Sequence, residues 1–482
     1  MNLATVIERH DASRVALIEG DQRVTYGEFR ERVGRLRTQL KALGVDRSDV
    51  VVVAAGNEIH FATSAIALLG IGAIPMPLNP SSTSSEMVAK IAVGKPKLIL
   101  AGKGGQRVTG YAGDLDVEVI DLVELDAASV DVEPDHSVVD LDPSDRAFYM
   151  ATSGVSGSPK VAMLSHGNLD WVQNLLVTGD DPVTSDDVML GVLPFAHIFG
   201  LNVVLLTSLR AGACVVLQRS FDETEGLRLI REHGVTLVSG APPMWQRWLA
   251  ADGPDDSMAT VRHASSGAAA LPVGVFEQVR DRFGFEIKQG YGLTETSPVV
   301  TMGRDHPTRP SSVGKVVDGV SVALVDMSGR PVDVGDEGEV VVRSPGVFLG
   351  YLDDQDTTDS VLTADGWLWT GDVGIFDEDG YLYLVDRIKD VVIVSGFNVY
   401  PAEVENVLMK HPEVTGAIVT GSDDPDTGEC VVAHVTGSAT QSSLEAFVAE
   451  HLSRYKRPTQ YHFLDVLPIA ATGKAIRREL RS

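Results

Sequence analysis

The sequence predicts an α/β protein in which a large N-terminal part precedes a smaller C-terminal α+β domain. Segments typical of helices and of buried strands alternate along the N-terminal part, and this alternation favours a sheet covered by helices. From Gly319 onward, short alternating strands are separated by acidic turns, which indicates a β-rich part. Beyond the charged break at 386–390, strands and helices alternate again, as expected of a small separate domain.

The first helix is predicted by its cap. Thr25 and Glu28 have the spacing of a capping box, apolar residues recur after them at helical intervals, and Gly44 ends the helix. The acidic, weakly patterned segment 102–145 is expected to form an outer connection. The hydrophobic pattern predicts helices over 61–69 and 86–93, and strands over 50–55, 74–78, 98–101, 188–193, 215–217, 235–239 and 263–266.

The later elements follow from the same patterns. In the C-terminal part, Pro401 is expected to open a helix that reaches about Lys410, and Ser442 is expected to cap a second helix. Strands are predicted over 321–325, 338–343 and 381–385 in the β-rich part, and over 391–394, 417–420 and 431–435 in the C-terminal domain.

Composition and charge exclude several classes of protein. The 482-residue chain is 44% hydrophobic and has a formal net charge of −27, which argues against nucleic acid as a partner because phosphate binding needs a basic face. The longest apolar stretch, 61–78, is interrupted by glycines and prolines, so we expect a buried helix and strand and no membrane span. The N-terminus has no long apolar run, and Cys214 and Cys430 lie far apart, so we expect a cytoplasmic protein without disulfides.

The densest cluster of small polar residues lies within 149–167. An apolar strand there runs into hydroxyl and glycine residues from Thr152 to Ser158, and then into Lys160. Backbone N–H groups, hydroxyls and a lysine in this order suit the binding of a polyanion. The segment is not a Walker A motif, because its lysine follows a proline and is not followed by Ser or Thr. On its own, the same segment is equally typical of a surface turn.

Three other positions carry candidate chemistry. In the segment 289–296, Tyr291 lies between two glycines, so its ring could lie flat on a planar ligand, and Glu295 offers the oxygen ligand that Mg²⁺ prefers. Asp372 follows a small-residue turn and suits a sugar diol. His197 lies inside an apolar run, where a histidine is more often a core residue than a catalytic one. Each of these patterns also occurs in simple turns, so each is weak alone.

Together, these stretches resemble the adenylate-forming superfamily, which includes acyl-CoA synthetases, aryl-CoA ligases, luciferases and peptide-synthetase adenylation domains. The segment 385–403 looks most similar to the fatty-acyl-CoA ligases. Nine matching segments occur in the order of the family, which makes chance similarity an inadequate explanation: 152–160, 193–200, 266–271, 289–296, 338–352, 367–372, 386–390, 395–405 and 472–480.

The resemblance implies a particular domain organisation. The family has a large N-terminal domain of layered αβ sheets plus a distorted β-barrel, and a small mobile C-terminal α+β domain. Carried over to this chain, the resemblance implies an AMP-binding domain at 1–385, a hinge at 386–390 and a C-terminal AMP-binding-enzyme domain at 391–482.

The resemblance also implies a first half-reaction, in which a carboxylate attacks the α-phosphate of ATP to give acyl-AMP and pyrophosphate. Lys474, His197, Thr294 and Glu295 would be catalytic: Lys474 neutralises the α-phosphate and the carboxylate, Thr294 contacts the α-phosphate, Glu295 ligates Mg²⁺, and His197 lies near the carboxylate. Tyr291 and the 267–269 turn would enclose adenine, and Asp372 and Arg387 would hold the ribose. The implied ATP and AMP ligands are Thr152, Ser153, Gly154, Ser156, Gly157, Lys160, Gly267, Ala268, Ala269, Tyr291, Gly292, Asp372 and Arg387.

In the implied second half-reaction, the thiol of CoA takes the acyl group. The small domain would rotate about Lys389 and present the CoA-binding turn Ser395, Gly396 and Phe397. Two positions depart from the family. Val155 stands where the family usually has Ser or Thr, and Val161 stands where it usually has Gly, so we expect slower or weaker use of ATP.

The nature of the acid and of the acceptor stays open at this point. The predicted acyl pocket is an uncharged, apolar cleft for a fatty acid or an aryl acid, lined by Phe199, Met244, Gly267, Gly290 and Val299. An acyl-AMP ligase that serves a carrier-protein thiol or an amine would use the same adenylation residues. A non-enzymatic binding module would leave Lys160, Glu295 and Lys474 without a role. We expect a fatty-acyl-CoA synthetase that is a monomer or homodimer.

Overall fold

A computed structural model of the chain describes residues 1–108, 110, 117–152, 159–387, 390–394, 397–424, 427–469 and 476–480. Within these ranges, the side chains of Gln106, Arg387, Phe397, Asn398 and Arg478 lie outside the description.

The strands are β1 Val15–Glu19, β2 Gln22–Thr25, β3 Val50–Ala54, β4 Ile74–Leu78, β5 Leu98–Ala101, β6 Glu118–Asp121, β7 Arg146–Thr152, β8 Lys160–Ser165, β9 Val188–Gly191, β10 Cys214–Leu217, β11 Leu237–Gly240, β12 His263–Ser266, β13 Ile287–Tyr291, β14 Thr301–Met302, β15 Lys315–Val316, β16 Ser321–Val325, β17 Gly338–Arg343, β18 Leu368–Phe376, β19 Leu382–Arg387, β20 Val392–Val394, β21 Phe397–Val399, β22 Val414–Asp424, β23 Gly428–Gly437 and β24 Gln460–Phe463.

The α-helices are α1 Tyr26–Ala42, α2 Ile59–Ile71, α3 Ser84–Gly94, α4 Leu122–Ala127, α5 His166–Thr178, α6 Thr207–Ala211, α7 Glu223–His233, α8 Pro242–Ala250, α9 Val273–Phe283, α10 Gln355–Val361, α11 Pro401–Leu408 and α12 Gln441–His451. A π-helix spans Phe199–Leu206, and short 3₁₀ turns include Thr294–Thr296 and Arg477–Glu479.

The largest sheet carries the segments that matter for function. Its nine strands lie in the order β15-β14-β13-β12-β11-β9-β10-β1-β2. Strands β9 to β13 run parallel to one another, so their carboxyl ends meet at one edge of the sheet. Ligands in sheets of this kind bind beyond that edge. The segments after β12 and β13, which begin at Gly267 and Gly292, therefore lie side by side.

A second parallel sheet, with the order β4-β3-β5-β6, forms another layer, and strands β7 and β8 pair as an antiparallel hairpin. Helix α2 is apolar on all sides and almost every residue of it is buried, as expected of a helix between two layers. The segment 102–145 was predicted as an outer connection, but it also supplies β6 and α4, because β6 extends the parallel sheet beside β5.

The β-rich part predicted from Gly319 is an antiparallel sheet with the order β16-β17-β18-β19. The C-terminal part contains a five-stranded sheet in which β20, β22 and β24 pair with β23, and β21 pairs with β20. This sheet has its own apolar core with α11 and α12, which includes Val404, Leu408, Val419 and Leu444. The α/β fold with a large N-terminal domain and a small C-terminal domain is therefore confirmed. The exact limits of the hinge stay a prediction, because Ile388 and Lys389 lie outside the described residues.

Local sequence signals explain several element boundaries. Glu28 N donates to Thr25 Oγ1 over 3.2 Å, and Thr25 N donates to Glu28 Oε2 over 2.8 Å, which is the predicted capping box. The cap of α12 is Thr440 and not the predicted Ser442, because Thr440 Oγ1 accepts a hydrogen bond from Ser443 N. None of the helices in the described ranges combines the length and the apolar character that a bilayer crossing requires.

Candidate active site

A cavity of about 750 Å³ lies beyond the carboxyl edge of the largest sheet and continues along the face of that sheet. It brings together residues that the sequence analysis selected from widely separated segments. The predicted residues that line it are Thr152, Lys160, His197, Phe199, Gly267, Ala268, Gly290, Tyr291, Gly292, Thr294, Glu295 and Val299.

At one part of the cavity, a tyrosine and a carboxylate form a buried pair. The Tyr291 hydroxyl donates to Asp372 Oδ2 over 2.7 Å, and both residues are buried. Asp372 pairs in register with Arg387 across β18 and β19, so the two residues predicted to hold a ribose are backbone neighbours. The side chain of Arg387 lies outside the described residues. Burial, and then the charge of Asp372, raise the pKa of nearby Glu339, which accepts a hydrogen bond from Gly371 N over 3.0 Å.

A second polar group contains Glu295, Tyr351 and Lys160. The Tyr351 hydroxyl donates to Glu295 Oε1 over 2.7 Å, and the Lys160 ammonium lies 5.2 Å from the centre of the Tyr351 ring. Lys160 opens β8 opposite Thr152, the last residue of β7, so both ends of the predicted phosphate loop are held by a hairpin. The loop residues Ser153, Gly154, Ser156 and Gly157 lie outside the described residues.

The loop that carries His197 is fixed by an asparagine from another layer. Asn57 Nδ2 donates to the carbonyl oxygens of Gly191 (2.9 Å) and Leu193 (2.8 Å), and Phe195 N donates to Asn57 Oδ1 over 3.0 Å. Burial, and then the charge of Lys90, lower the pKa of His197 to about 4. The imidazole is therefore neutral at pH 7 and can donate or accept a hydrogen bond without carrying charge.

Four of the five residues predicted to line an acyl pocket lie in the wall of this cavity. Phe199 packs against Gly267, where a Cβ atom would lie 3.0 Å from the ring, and Gly290 and Val299 line the same cavity. Met244 does not line it. This side chain belongs to the hydrophobic core, and its sulfur lies 3.4 Å from the N–H of Ala241 at the start of α8, so it is turned into its own helix cap.

The sequence analysis predicted an uncharged cleft, but the wall of the cavity carries charged residues. His263, Lys288 and Arg304 line it, together with Ser239 and Ser265. No motif marks these positions. The alternation of side chains along a strand could have indicated them. His263 and Ser265 lie on one face of β12, and Lys288 and Gly290 lie on one face of β13. Tyr351 was also missed as an individual residue, although it lies within the segment 338–352 that resembles the family.

The C-terminal part contributes Ile476 to the cavity wall. Arg477, the next residue, is held by Glu405 (Nη2 to Oε1, 2.8 Å) and by Asp390 (Nη1 to Oδ2, 3.6 Å). Several predicted residues lie outside the described ranges: Lys474, the predicted hinge residue Lys389, and Ser395 and Gly396 of the predicted CoA turn. Phe397 opens β21, but its side chain is also outside the description. Ala269 follows the cavity residues Gly267 and Ala268.

The donors in the cavity fit one magnesium ion shared with a nucleotide. Within the described ranges, no three His, Cys, Asp or Glu side chains lie close enough to hold a metal by themselves. Glu295 is half-buried and receives its one tyrosine hydrogen bond on Oε1. Mg²⁺ is commonly bound by one or two carboxylates together with substrate phosphates, and a single glutamate beside Lys160 agrees with that arrangement.

Comparison with known proteins adds independent information. The AMP-binding enzyme family matches residues 3–352, and the AMP-binding enzyme C-terminal domain matches residues 403–474. 4-Coumarate–CoA ligase 2 of Nicotiana tabacum is 32% identical over 496 residues, which cover 98% of this chain and 92% of that protein. Feruloyl-CoA synthase of Amycolatopsis sp. is 37% identical over 480 residues, which cover 97% and 95%.

The fold is also similar to a solved complex. The structure of O-succinylbenzoate coenzyme A synthetase (MenE) from Bacillus subtilis, in complex with ATP and magnesium ion, superposes with a TM-score of 0.88 at 28% identity. The superposition covers 99% of this chain and 99% of that chain.

Proposed function

Because this chain belongs to the AMP-binding enzyme family and is an AMP-forming acid–CoA ligase, we propose that it activates an aryl acid and transfers the aryl acyl group to CoA. The relatives named above act, by their names, on coumarate and ferulate, which are aryl acids. They favour the aryl alternative over the fatty-acid substrate that the segment 385–403 suggested.

The observation that carries the proposal is the continuity of the cavity. Its wall includes Glu295 and Lys160, which suit phosphates, and also Phe199 and Val299, which suit an apolar acid. A carboxylate held between these two surfaces would lie beside the α-phosphate of a bound nucleotide. Such positioning removes much of the entropic barrier to the reaction.

In the proposed first half-reaction, a carboxylate oxygen of the acid bonds to the α-phosphorus, and the bond from that phosphorus to pyrophosphate breaks. Negative charge develops on the transferred phosphate and on the leaving group, so fixed cations and donors lower the barrier. Lys160 and the loop that follows Thr152 would bind the outer phosphates. Thr294 would donate to the α-phosphate.

Glu295 would hold Mg²⁺, which neutralises phosphate charge when it is bound. Tyr351 fixes the carboxylate of Glu295 through its 2.7 Å hydrogen bond, and so would orient this carboxylate for metal binding. Asp372 would accept hydrogen bonds from the ribose hydroxyls, and the Gly267–Ala268 turn would cover one face of adenine. Neutral His197 would orient the substrate carboxylate without competing for its negative charge.

In the proposed second half-reaction, the CoA sulfur bonds to the acyl carbon, the bond from that carbon to AMP breaks, and the thiol proton leaves to solvent. We propose that the domain from residue 391 rotates on a hinge at 386–390 between the two steps. Lys474 would serve the first step, and the turn at 395–397 would serve the second. The contact of Ile476 with the cavity supports a place for this part of the chain beside the nucleotide.

The test is a product analysis by mass spectrometry after incubation with ATP, Mg²⁺, CoA and a panel of cinnamic, benzoic and fatty acids. We expect aryl-CoA, AMP and pyrophosphate in equal amounts. Fatty acyl-CoA without any aryl product would contradict the aryl substrate, and aryl-AMP that persists with CoA present would identify a different acceptor, such as a carrier-protein thiol or an amine.

A further inference from the structure

Arg304 is an unusual residue for the wall of a pocket that takes an apolar acid. Its side chain is only 8% exposed, and the residue lines the cavity two positions after the end of β14. Among the described residues, neither its Nε nor its Nη2 has a hydrogen-bond partner. A buried guanidinium normally forms several hydrogen bonds, because the loss of water is otherwise uncompensated.

The neighbouring charges do not satisfy Arg304. Asp181 Oδ2 lies 3.7 Å from Arg304 Nε, which is an ion-pair distance but too long for a hydrogen bond. Asp181 is also bound by Arg262 Nη1, and Arg262 forms two 2.7 Å hydrogen bonds with Asp187. The charge of Asp181 is therefore shared between two arginines. Asp305 is a further nearby anion.

The other polar groups at this wall either form hydrogen bonds within the protein or are neutral. Lys288 Nζ donates to His306 O over 3.1 Å and contacts Thr308 Oγ1. Burial, and then the charge of Arg304, lower the pKa of His263 to about 3, so this imidazole is neutral at pH 7. Ser239 and Ser265 bond to each other over 2.8 Å. Arg304 is thus the cation of this group that lacks hydrogen bonds from the described chain.

The position of this group relative to the nucleotide side follows from strand geometry. Gly267 follows β12 at the nucleotide edge, and His263 opens the same strand four residues earlier. At about 3.3 Å per residue, the two positions are roughly 13 Å apart along the strand. Arg304 Nε and His263 Nδ1 lie 3.7 Å and 3.8 Å from the same oxygen, Asp181 Oδ2. Arg304 therefore lies near His263 at the inner end of the cavity, remote from the reacting carboxylate.

We propose that Arg304 is a specificity-determining residue that binds a hydrogen-bond-accepting oxygen on the far end of the acid. The inference rests on the proposed function and specifies the substrate class as aryl acids with an oxygen substituent on the ring. Such an oxygen supplies the acceptor that the described chain does not provide. Sites built to pair a polar substituent discriminate strongly against analogues without it, because the buried polar group is then left unpaired.

The experiment compares three acids in the wild-type enzyme: cinnamic acid, 4-hydroxycinnamic acid and 4-carboxycinnamic acid. We expect kcat/KM for at least one oxygen-bearing acid to exceed that for cinnamic acid by about 10- to 100-fold. The hydroxyl and carboxylate arms identify which acceptor is preferred. Equal kcat/KM for all three acids would overturn the proposal while leaving the aryl-CoA ligase activity intact. Absence of any aryl product would instead overturn the proposed function and this inference with it.

Variants locate the discrimination at Arg304. Arg304→Met is expected to lower kcat/KM for the preferred oxygen-bearing acid by about 10- to 100-fold and to leave cinnamic acid within a few-fold of wild type. Arg304→Lys keeps the charge but loses the forked donors, so it should retain part of the discrimination and protects the test if the methionine variant fails to fold.

Lys288→Met is the matched control, because it removes a cation of the same wall whose hydrogen bonds come from the protein itself. We expect this variant to change all three acids by the same factor. An equal loss for all three acids in Arg304→Met or Arg304→Lys would show that Arg304 only supports the structure, and would overturn the proposal.

Discussion

At the scale of single residues, the site depends on side chains that hold other side chains. Tyr351 holds the carboxylate of Glu295, and Asp372 accepts a hydrogen bond from the hydroxyl of Tyr291. Asn57 holds the loop that carries His197. The sequence allowed Glu295, Tyr291 and Asp372 to be predicted, because their neighbouring glycines and small residues form recognisable segments. Asn57 and Tyr351 could not be found in this way, since their roles depend on contacts with residues far away in the sequence.

A change at Tyr351 tests the first of these contacts. Tyr351→Phe keeps the ring beside Lys160 and removes the hydrogen bond to Glu295, so we expect ATP–pyrophosphate exchange to need more Mg²⁺ and its kcat/KM to fall about tenfold. The measurement is a Mg²⁺ titration of the exchange rate. Tyr383→Phe removes a tyrosine hydrogen bond to Asp377 elsewhere in the molecule and is the matched control. An unchanged Mg²⁺ dependence in Tyr351→Phe would show that Glu295 does not hold the metal.

His166 leads to a prediction about pH and stability. Its Nδ1 lies 3.2 Å from Leu3 N and accepts a hydrogen bond there, and burial lowers its pKa from 6.5 to about 4. The unfolded chain therefore binds a proton at higher pH than the folded chain does. The stabilisation from neutral His166 is complete above pH 6.5 and is lost as the pH falls towards 4.

Urea denaturation at pH 7.5 and pH 5.0 measures this effect. We expect the free energy of unfolding of the wild type to fall between these pH values by about 1–2 kcal/mol more than that of His166→Asn. His136→Asn, at a side chain that is 56% exposed, should follow the wild type. Equal falls for the wild type and His166→Asn would show that His166 titrates alike in both states.

At the scale of elements, hydrophobic periodicity predicted the strands of the parallel sheets closely, including β4, β5 and β12 at their observed limits. The strong apolar runs of parallel strands buried on both faces explain this success at β4 and β5. Strand β12, His-Ala-Ser-Ser, has no such run and was recognised as a short strand followed by turn residues. The segment 102–145 was harder, because β6 lies at a sheet edge and none of its four residues is fully buried. The cap of α12 was displaced by two residues, since several Ser and Thr residues in succession can each cap a helix.

In the turn after β13, we expect Gly292 not to tolerate substitution. A Cβ atom at position 292 would lie 1.5 Å from the carbonyl oxygen of Pro298, so Gly292→Ala must displace backbone next to Thr294 and Glu295. We expect loss of about 1–3 kcal/mol of stability or more, together with loss of adenylation. Differential scanning calorimetry and pyrophosphate exchange measure the two effects. Gly274→Ala is the control, because this glycine lies in α9 with open space around it, and its variant should keep a wild-type melting temperature. Wild-type stability and wild-type pyrophosphate exchange in Gly292→Ala would contradict the packing of this turn.

At the scale of the whole molecule, the two domains were predicted from a change in pattern and from the order of nine segments. Sequence order places Lys474 in the small domain, but neither pattern nor spacing shows which residues of that domain reach the cavity. The structure brings Ile476 to the wall and anchors Arg477 to Glu405 and Asp390. The charge of the inner wall was not predicted either. His263 lies in β12, Lys288 in β13 and Arg304 after β14, so these residues come together only in the folded sheet.

The proposed domain rotation predicts that the two half-reactions can be separated by mutation. Lys474→Ala is expected to lower pyrophosphate exchange by at least about 100-fold, because a cation is lost where negative charge develops. The same variant should convert synthetic aryl-AMP and CoA to aryl-CoA at nearly the wild-type rate. Rapid-quench assays of each half-reaction provide the measurement, and Lys410→Ala, at an exposed lysine of the same domain, is the control. Equal losses in both half-reactions would contradict the rotation.

The arrangement of β12 and β13 has an evolutionary consequence. The residues after each strand line the end of the cavity that we propose binds the nucleotide, whereas earlier residues of the same strands, such as His263 and Lys288, line its inner end. A change of one side chain on the sheet face can therefore alter which acid is accepted without disturbing the loops that handle ATP. Enzymes descended from one ancestral activating enzyme can in this way come to accept different acids while they keep the same ATP-handling loops.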